Sequence, residues 1–324
     1  MFTWRRPARA ETSADTPSGA SVDVQRLLHR LEWTVLRRLD GQLQGDYRNL
    51  LRGSGVELAD LREYQPHDDV RRIDWATTAR MQTPYVREYQ EDRDMTAWLV
   101  LDLSASLSVG QAARSKRMLA LELSGVLAQI IQRRGNPVGA LLHDAGAQAI
   151  GLRLPPRVGR RHVLQLMHAI AHMPVSSQGQ GTHLGRVFTQ AAGVLRRRST
   201  VIVVSDFLSA PGWEDPLGWL ARRHDVVAVR LRDPIELAWP AAGMLWLQDV
   251  ETGERLWVDT HDAAFRRRFA EQAQAREVQF RQSMAQAGVD TLELRTDEPL
   301  DQAVLDFIRM RQPRRWLSQG ARSR

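Results

Sequence analysis

One stretch of the chain, residues 96–108, constrains the fold more than any other. It reads TAWLVLDLSASLS, an apolar run of the length of one buried strand followed by a polar loop. A helical pattern then covers residues 112–134, and Gly135 ends it. A strand, a polar loop and a long helix form the first unit of a doubly wound α/β fold. In such folds ligands bind at the carboxyl ends of the strands.

The polar residues at the end of this strand form a candidate metal site. Asp102, Ser104 and Ser106 occupy alternate positions, so an extended chain points all three side chains in one direction. One carboxylate and two hydroxyls suit a hard cation such as Mg²⁺, which takes oxygen ligands. The simpler alternative is that Asp102 and Ser104 only cap the following helix, because such side chains often bond to nearby backbone N–H groups.

Two further oxygen-bearing side chains are expected at the same edge of the sheet. Asp206 follows the apolar run 201–204, and Thr182 lies in the loop before the preceding helix, where it is also the predicted N-cap. Two carboxylates about 4 Å apart repel by about 4 kcal/mol at an effective dielectric of about 20. A divalent cation or a shared proton relieves that repulsion. The candidate metal ligands are therefore Asp102, Ser104, Ser106, Thr182 and Asp206.

The rest of the chain alternates short apolar strands with longer helices, which predicts the fold class. We expect an α/β fold, a doubly wound and mostly parallel sheet with helices on both faces. The N-terminal part adds an amphipathic helix and a β-rich cover segment. The predicted strands are 97–101, 138–142, a short edge strand at 148–152, 201–204, 226–231 and 290–294, with a hairpin at 244–248 and 255–258; the predicted helices are 22–39, 112–134, 158–172, 183–197, 213–222, 262–287 and 300–311.

The same pattern divides the chain into four segments. Those segments are a disordered N-terminus at 1–20, a helix plus the β-rich segment at 21–94, the α/β domain with its hairpin and C-terminal helices at 95–311, and a basic tail at 312–324. Charges of alternating sign fill residues 52–92, and we interpret them as arginines and acids that pair across short strands. A surface that binds a partner or a ligand is the alternative for that segment.

Composition excludes several classes of protein. The chain has no cysteine, so disulfides, thiolate zinc sites and cysteine nucleophiles are absent. Its net charge of +7 comes from 45 basic and 38 acidic residues, and six of the arginines lie at 309–324, which leaves 39 against 38 elsewhere. Nucleic-acid binding through this arginine-rich tail is therefore only an alternative function. Because no apolar run is long enough for a membrane span or a secretory signal, a cytoplasmic location is expected.

Two sets of residues resemble known families. The order Asp102-x-Ser104-x-Ser106, Thr182, Asp206 resembles the metal-ion-dependent adhesion site of von Willebrand factor type A domains. Residues 53–80, GSGVELADLREYQPHDDVRRIDWATTAR, and residues 86–92, VREYQED, resemble the bacterial "domain of unknown function fifty-eight" family. In that family this segment precedes a von Willebrand A-like domain. Residues 222–237 and 249–254 also resemble it.

The resemblance implies a function as well as a fold. It implies a non-enzymatic module that binds Mg²⁺ or another divalent cation through the five candidate ligands, directly or through water. An acidic side chain of a partner would complete the coordination. The family also implies partnership with a MoxR-type AAA+ ATPase in the assembly or activation of a client protein.

The residues also allow two enzyme-like alternatives. A metal-dependent phosphoester hydrolase using Asp102 and Asp206 needs an additional base or nucleophile, and the sequence identifies none. His168 and His172 have the i, i+4 spacing of zinc ligands, but the glutamate that follows the first histidine in metalloproteases is missing. They are interpreted as ordinary histidines at a helix end. No GxSxG or GxxxxGK[ST] motif supports an α/β-hydrolase or a P-loop ATPase.

Overall fold

The computed structural model describes residues 2–5, 23–39, 57–65, 68–90, 95–108, 114–144, 149–174, 182–249 and 255–311. The chain forms two units, a smaller one at Leu51–Met95 and a larger one made of Met1–Leu50 and Thr96–Arg324. This division differs from the predicted boundaries, which placed the N-terminal helix with the β-rich segment. The predicted basic tail at 312–324 lies outside the described residues.

Strands and helices are numbered in chain order. The strands are β1 (Phe2–Arg5), β2 (Glu57–Glu63), β3 (Tyr85–Gln90), β4 (Ala97–Asp102), β5 (Val138–His143), β6 (Leu152–Arg157), β7 (Thr200–Ser205), β8 (Asp225–Arg232), β9 (Met244–Asp249), β10 (Arg255–Asp259) and β11 (Asp290–Arg295). The helices are α1 (Val24–Leu31), α2 (Trp75–Met81), α3 (Lys116–Gln132), α4 (Arg160–His172), α5 (Leu184–Val194), α6 (Glu214–Arg223), α7 (Ala263–Ala287) and α8 (Leu300–Arg311). In the described residues, no helix is long and apolar enough to cross a membrane.

The larger unit is built on a six-stranded sheet in the order β6-β5-β4-β7-β8-β11. All neighbouring strands are parallel except β5 and β6, which are antiparallel. Counted along the chain, these six strands have the spatial order 3-2-1-4-5-6. That is a doubly wound order, in which the chain changes direction between β4 and β7. The predicted α/β fold class is therefore confirmed.

Burial of the central strands explains why they read as continuous apolar runs. All six residues of β4 and all six of β7 are buried, as expected for parallel strands covered by helices on both faces. Trp98 and Val100 of β4 belong to a core cluster with residues of α5, α6 and α7. Helices α1, α4 and α8 all contact α3 and form a second group. With both faces covered, the ends of the strands remain for a binding site.

The edge strand β6 is a correction to the sequence prediction. We predicted a strand at 148–152, whereas β6 runs from Leu152 to Arg157 and includes Pro155 and Pro156. Prolines argue against a central strand, but an edge strand tolerates them because its outward N–H groups need no partner in the sheet. The two prolines also leave this edge unable to extend the sheet through a full set of donors.

The first residues of the chain also depart from the prediction. Phe2–Arg5 were expected to be disordered, but they form β1, which pairs antiparallel with β9 in a three-stranded sheet with β10. The prediction is wrong for this strand, since its partner lies more than two hundred residues away and leaves no local signal. The remainder of the predicted disordered segment, residues 6–20, lies outside the described residues. The predicted hairpin of β9 and β10 is confirmed.

The amphipathic N-terminal helix is part of the larger unit and packs against its other helices. Its buried residues are Val24, Leu27, Leu28 and Leu31, and the helix contacts α3 and α4. Asp23 begins it by accepting a hydrogen bond from the backbone N–H of Arg26 at 3.1 Å. A π-helical segment, Glu32–Leu36, continues it. The predicted helix is therefore confirmed, and its partner surface is formed by other helices of the α/β fold.

The smaller unit contains an antiparallel pair, β2 and β3, with α2 between them in the chain. Asp74 accepts a hydrogen bond from the backbone N–H of Thr77 at 3.0 Å and so caps α2. Arg62 forms two hydrogen bonds with Asp68, at 2.6 and 2.7 Å, which is one pair of the kind predicted from the alternating charges. The helix α2 was not predicted, because nearby prolines exclude a long helix but not one of two turns. A binding role for this segment stays a prediction.

Candidate metal site at the switch point of the sheet

The site lies where the strand order reverses. Because the chain leaves β4 and β7 toward opposite edges of the sheet, a crevice is expected at their carboxyl ends. Asp102 is the last residue of β4, and Asp206 directly follows Ser205, the last residue of β7. The register pairs Leu101 with Val204, so both aspartates come at the same edge. Their arrangement on neighbouring parallel strands is the one predicted from the sequence.

Asp102 is buried and its carboxylate is held by hydrogen bonds from both strands. Its Oδ1 accepts from the backbone N–H of Ser104 at 3.1 Å, and its Oδ2 accepts from the hydroxyl of Ser205 at 2.7 Å. Burial raises the pKa of Asp102, and the nearby carboxylate of Asp206 raises it further. The two aspartates therefore act on each other electrostatically. A positive charge near both would favour their ionised forms.

The two serines of the motif lie beside Asp102. Ser104 and Ser106 are fully buried, and their hydroxyl oxygens are 3.0 Å apart, within hydrogen-bonding distance. Neither Asp102 nor Ser104 caps α3, because Ser115 is its N-cap and accepts from the backbone N–H of Met118 at 3.2 Å. Asp102 does bond to the backbone N–H of Ser104, immediately before a 3-10 turn at Ala105–Ser108 that contains Ser106, so the local alternative is borne out in part.

A strained turn follows β7 and positions Asp206. Phe207 has φ of +57°, a left-handed conformation that is costly for a bulky residue. Its backbone N–H donates to the Ser205 hydroxyl at 2.9 Å, and its ring packs between those of Trp213 and Phe280. The next N–H, from Leu208, donates to Oδ1 of Asp206 at 3.0 Å. Aromatic packing thus maintains the turn that fixes this carboxylate.

Thr182 is buried but makes a different local contact from the one predicted. Its backbone carbonyl accepts hydrogen bonds from the hydroxyl of Ser209 at 2.9 Å and from the N–H of Ala210 at 3.0 Å. These bonds join it to the segment that follows Asp206. The prediction that Thr182 caps α5 is wrong, because the N-cap is His183 and the Ser209 hydroxyl accepts from the Leu184 N–H. Thr182 therefore stays a predicted ligand, beside the loop of Asp206.

The residue that the sequence analysis missed is Lys116, the first residue of α3. Its side chain is fully buried, and its ammonium lies 2.6 Å from Oδ2 of Asp206 and 2.6 Å from Oε1 of Glu236. Burial lowers the pKa of Lys116, but attraction to the two carboxylates outweighs that effect and raises it, so this side chain is charged. The sequence did contain a signal for this residue, because Lys116 is the sole lysine of a chain with 45 basic residues.

Glu236 reaches the site from a short 3-10 turn, Pro234–Glu236, that follows β8. Asp233 holds this turn, since its carboxylate accepts from the N–H of Ile235 at 3.1 Å and from the Thr296 hydroxyl at 2.8 Å. Burial raises the pKa of Glu236, and Asp206 raises it further, against the opposing effect of Lys116. Two carboxylates, those of Asp206 and Glu236, thus contact one ammonium at this end of the sheet, and Asp102 lies near Asp206.

The oxygen donors at the crevice suit a hard divalent cation. Within the described residues, no three His, Asp or Glu side chains are grouped closely enough to hold a metal by themselves. Any ion would therefore depend on hydroxyls as well as on Asp102 and Asp206, and such ligands favour Mg²⁺ or a similar cation. The other candidate pair, His168 and His172, forms a stack 3.9 Å apart on α4. The Nδ1 of His172 lies 2.9 Å from the His168 carbonyl oxygen, which it can bond as an ordinary residue of a helix end.

The sheet and this crevice define a doubly wound α/β protein with a polar site at its switch point. The chain belongs to the family described as "Protein of unknown function DUF58", which matches residues 60–279. The resemblance to that family noted in the sequence is therefore confirmed. Among curated relatives, the uncharacterized protein Rv1480 of Mycobacterium tuberculosis is 37% identical over 305 residues, covering 94% of this chain and 93% of the relative.

Solved structures with a similar arrangement share little sequence with this chain. One is the conserved hypothetical protein BatB from Bacteroides thetaiotaomicron, at 15% identity and a TM-score of 0.43, covering 67% of this chain and 98% of that one. Another is the SpRpn10 VWA domain, at 12% identity and a TM-score of 0.36, covering 65% of this chain and 95% of that one. The fold assignment therefore rests on the strand order and register of this chain.

Proposed function

We propose that this protein is a non-enzymatic, metal-dependent protein-binding module of the bacterial cytoplasm. It would act as the partner of a MoxR-type AAA+ ATPase in the assembly or activation of a client protein. The observation that carries the proposal is the buried, acid-rich crevice at the switch point, where Asp102 and Asp206 come from neighbouring strands. The membership of the DUF58 family supports the broader class of protein-interaction module.

The chemistry of the crevice supports an ion-mediated contact. Asp102, Ser104, Ser106, Thr182 and Asp206 would hold Mg²⁺, directly or through water. When bound, the ion supplies a positive charge and an open coordination position that an acidic side chain of a partner can fill. The residues of this chain contribute a preset arrangement, because both aspartates are already fixed by backbone N–H groups. A preset site loses little side-chain entropy when a partner binds.

A phosphoester hydrolase is the rival function, and the position of His143 bears on it. His143 ends β5 opposite Asp102, its Nδ1 lies 2.5 Å from the carbonyl oxygen of Ala149, and its Nε2 has no hydrogen-bond partner among the described residues. An unpaired imidazole nitrogen is the kind of base that a hydrolase needs. That nitrogen is buried, as are the five candidate metal ligands, so burial does not separate the two functions. An assay of phosphoester turnover distinguishes them.

The proposal is tested by capture of the purified ATPase on the immobilised protein, with Mg²⁺ and with EDTA. We expect capture in Mg²⁺, loss of most of it in EDTA, and at least a fivefold weaker capture by Ser104→Ala and Asp206→Ala, because each removes an oxygen from the crevice. All variants should keep the wild-type circular dichroism spectrum. Ser199→Ala is the matched control, since Ser199 is a buried serine at the opposite end of β7.

Two outcomes would contradict the proposal. Equal recovery of the ATPase in Mg²⁺ and in EDTA would remove the role of the ion. Turnover of simple phosphoesters with Mg²⁺ or Mn²⁺ that disappears in Asp102→Ala would instead establish the hydrolase.

A further inference from the structure

The buried ammonium of Lys116 is the feature of the site that a simple pair of aspartates does not explain. It lies at the first turn of α3, the helix that follows the serine motif, and it contacts carboxylates from two other segments of the chain. Each carboxylate oxygen of Asp206 accepts one hydrogen bond, one from Lys116 and the other from the Leu208 N–H. Its charge is therefore compensated by a side chain of the protein itself.

The charges of the groups around Lys116 determine how its ammonium would affect a bound ion. When ionised, Asp102, Asp206 and Glu236 carry three negative charges, and Lys116 carries one positive charge. Arg117, the next residue, directs its guanidinium at the backbone carbonyls of Leu103, Ile170 and Met173. When all three carboxylates are ionised, these four groups carry two negative charges in excess, which is the charge of one divalent cation; burial favours the protonated forms of Asp102 and Glu236 when no cation is bound.

We propose that Lys116 is an internal counter-ion that sets the affinity of the site for a divalent cation. Its ammonium keeps Asp206 in place when no ion is bound, and the same positive charge repels the ion and weakens its binding. Glu236 has the opposite effect, because it offsets part of the charge of Lys116. The inference deepens the proposed function, and it concerns a residue that acts through Asp206 rather than a ligand.

Neutralising each member of the pair should change ion affinity in opposite directions. Lys116→Met removes a positive charge next to Asp206, and we expect divalent ions to bind about tenfold more tightly, given the size of Coulomb energies at these distances. Glu236→Gln removes a negative charge next to the ammonium of Lys116. More of its positive charge then acts on the ion, so divalent ions should bind about threefold more weakly. Simple damage to the fold would weaken binding in both variants. The opposite signs therefore separate the counter-ion role from a structural one.

The measurement is titration of the full-length protein with Mg²⁺ by calorimetry, and with Mn²⁺ by electron paramagnetic resonance. The double variant Lys116→Met/Glu236→Gln restores the excess of two negative charges and should return to within about threefold of the wild-type affinity. Arg114→Met is the control, because Arg114 is a nearby cation that pairs with Glu122, outside the crevice, and its loss should change affinity less than twofold. Circular dichroism establishes that each variant is folded.

The outcomes separate this inference from the proposed function. Unchanged or weaker binding by folded Lys116→Met would overturn the counter-ion role, whatever the partner experiment shows. If the wild type binds no Mg²⁺ at millimolar concentration but Lys116→Met does, the counter-ion role holds and the metal-dependent function fails. Should Lys116→Met not fold, Lys116→Gln takes its place: tighter binding supports the inference, and unchanged or weaker binding overturns it.

Discussion

Two clusters of buried charge in the larger unit differ in how they are balanced. At the carboxyl end of the sheet, the ammonium of Lys116 contacts Asp206 and Glu236, and Asp102 lies near Asp206. On the far side of β8, two arginines meet two glutamates: Arg230 lies 2.8 Å from Glu277, and Arg232 lies 3.0 Å from Glu277 and 3.1 Å from Glu293. The first cluster has more carboxylates than cations, whereas in the second each glutamate contacts at least two arginines.

We interpret the arginine–glutamate cluster as structural, and we propose a binding role for the crevice cluster. Buried charges are costly unless partners compensate them, and the arginine–glutamate cluster joins β8, β11 and α7 with every charge compensated inside the chain. The crevice cluster has no such balance. A protein retains a locally unfavourable arrangement of this kind where an outside group completes it. The proposed cation would compensate the carboxylates at the crevice, whereas the glutamates of the second cluster already contact arginines.

The largest expected effect comes from breaking the balanced cluster. Arg230→Met should lower the free energy of unfolding by about 3 kcal/mol, because it leaves Glu277 with one buried partner fewer and removes the guanidinium that lies 3.9 Å from the Phe280 ring. Urea denaturation followed by circular dichroism measures this change. The loss should be the same with and without Mg²⁺, since the cluster has no excess charge for an ion to compensate.

Arg281→Met provides the matched control for this variant. Arg281 pairs with the same Glu277 at 2.9 Å, but its side chain is 73% exposed. An exposed pair of this kind contributes about 0.5 kcal/mol or less. Equal losses in Arg230→Met and Arg281→Met would show that burial does not distinguish the two contacts, and the structural role of the cluster would then be wrong.

The second effect concerns the unbalanced cluster and has the opposite sign. Burial, reinforced by Asp206, raises the pKa of Asp102, so the ionised form is disfavoured in the folded protein. Asp102→Asn removes that charge, and we expect it to stabilise the protein in EDTA at pH 7, by about the 1 kcal/mol typical of stabilising substitutions, while weakening Mg²⁺ binding by about tenfold or more. Sites that sacrifice stability for function commonly respond in this way. Thermal unfolding and calorimetric titration of the same samples measure the two quantities.

Asp301→Asn is the control for this variant. Asp301 pairs with the largely exposed Arg38 at 2.9 Å; burial raises its pKa, but its hydrogen bonds and the attraction of that arginine together outweigh burial and lower it. Neutralising it should therefore reduce stability slightly and leave ion binding unchanged. A loss of stability in Asp102→Asn as large as that in Arg230→Met would mean that Asp102 is a structural residue.

The sequence predicted the parts of the site that follow from local rules. Alternation past a strand end identified Asp102, Ser104 and Ser106, although the predicted extended chain is wrong for Ser106, which lies in the 3-10 turn Ala105–Ser108. The end of a second apolar run identified Asp206. Lys116 and Glu236 could not be placed in the same way, because they are 120 residues apart and meet only through tertiary packing. Strand β1 was missed for the same reason, since its partner β9 lies more than two hundred residues further along the chain.

The smallest expected effect is a difference in acid sensitivity between the two clusters. Although burial opposes it, attraction to Arg230 and Arg232 lowers the pKa of Glu277 below its usual value of 4.5. A carboxylate whose folded pKa is depressed contributes stability that is present above its unfolded pKa and is lost as the pH falls through the folded pKa. The wild type should therefore lose this contribution below about pH 4.5, and Glu277→Gln should show a shallower decline of the unfolding free energy in that range.

Denaturation curves from pH 6 to pH 3 test this prediction, with Glu271→Gln as the control. Glu271 is an exposed glutamate on the same helix, so its replacement should leave the slope of stability against pH as in the wild type. Asp102 acts in the opposite sense, because a raised pKa favours the protonated form in the folded state and so adds stability as the pH falls. Glu277→Gln and Asp102→Asn should therefore change the acid slope in opposite directions. If both replacements change the slope of stability against pH in the same direction, the two clusters do not differ in their electrostatics as described above.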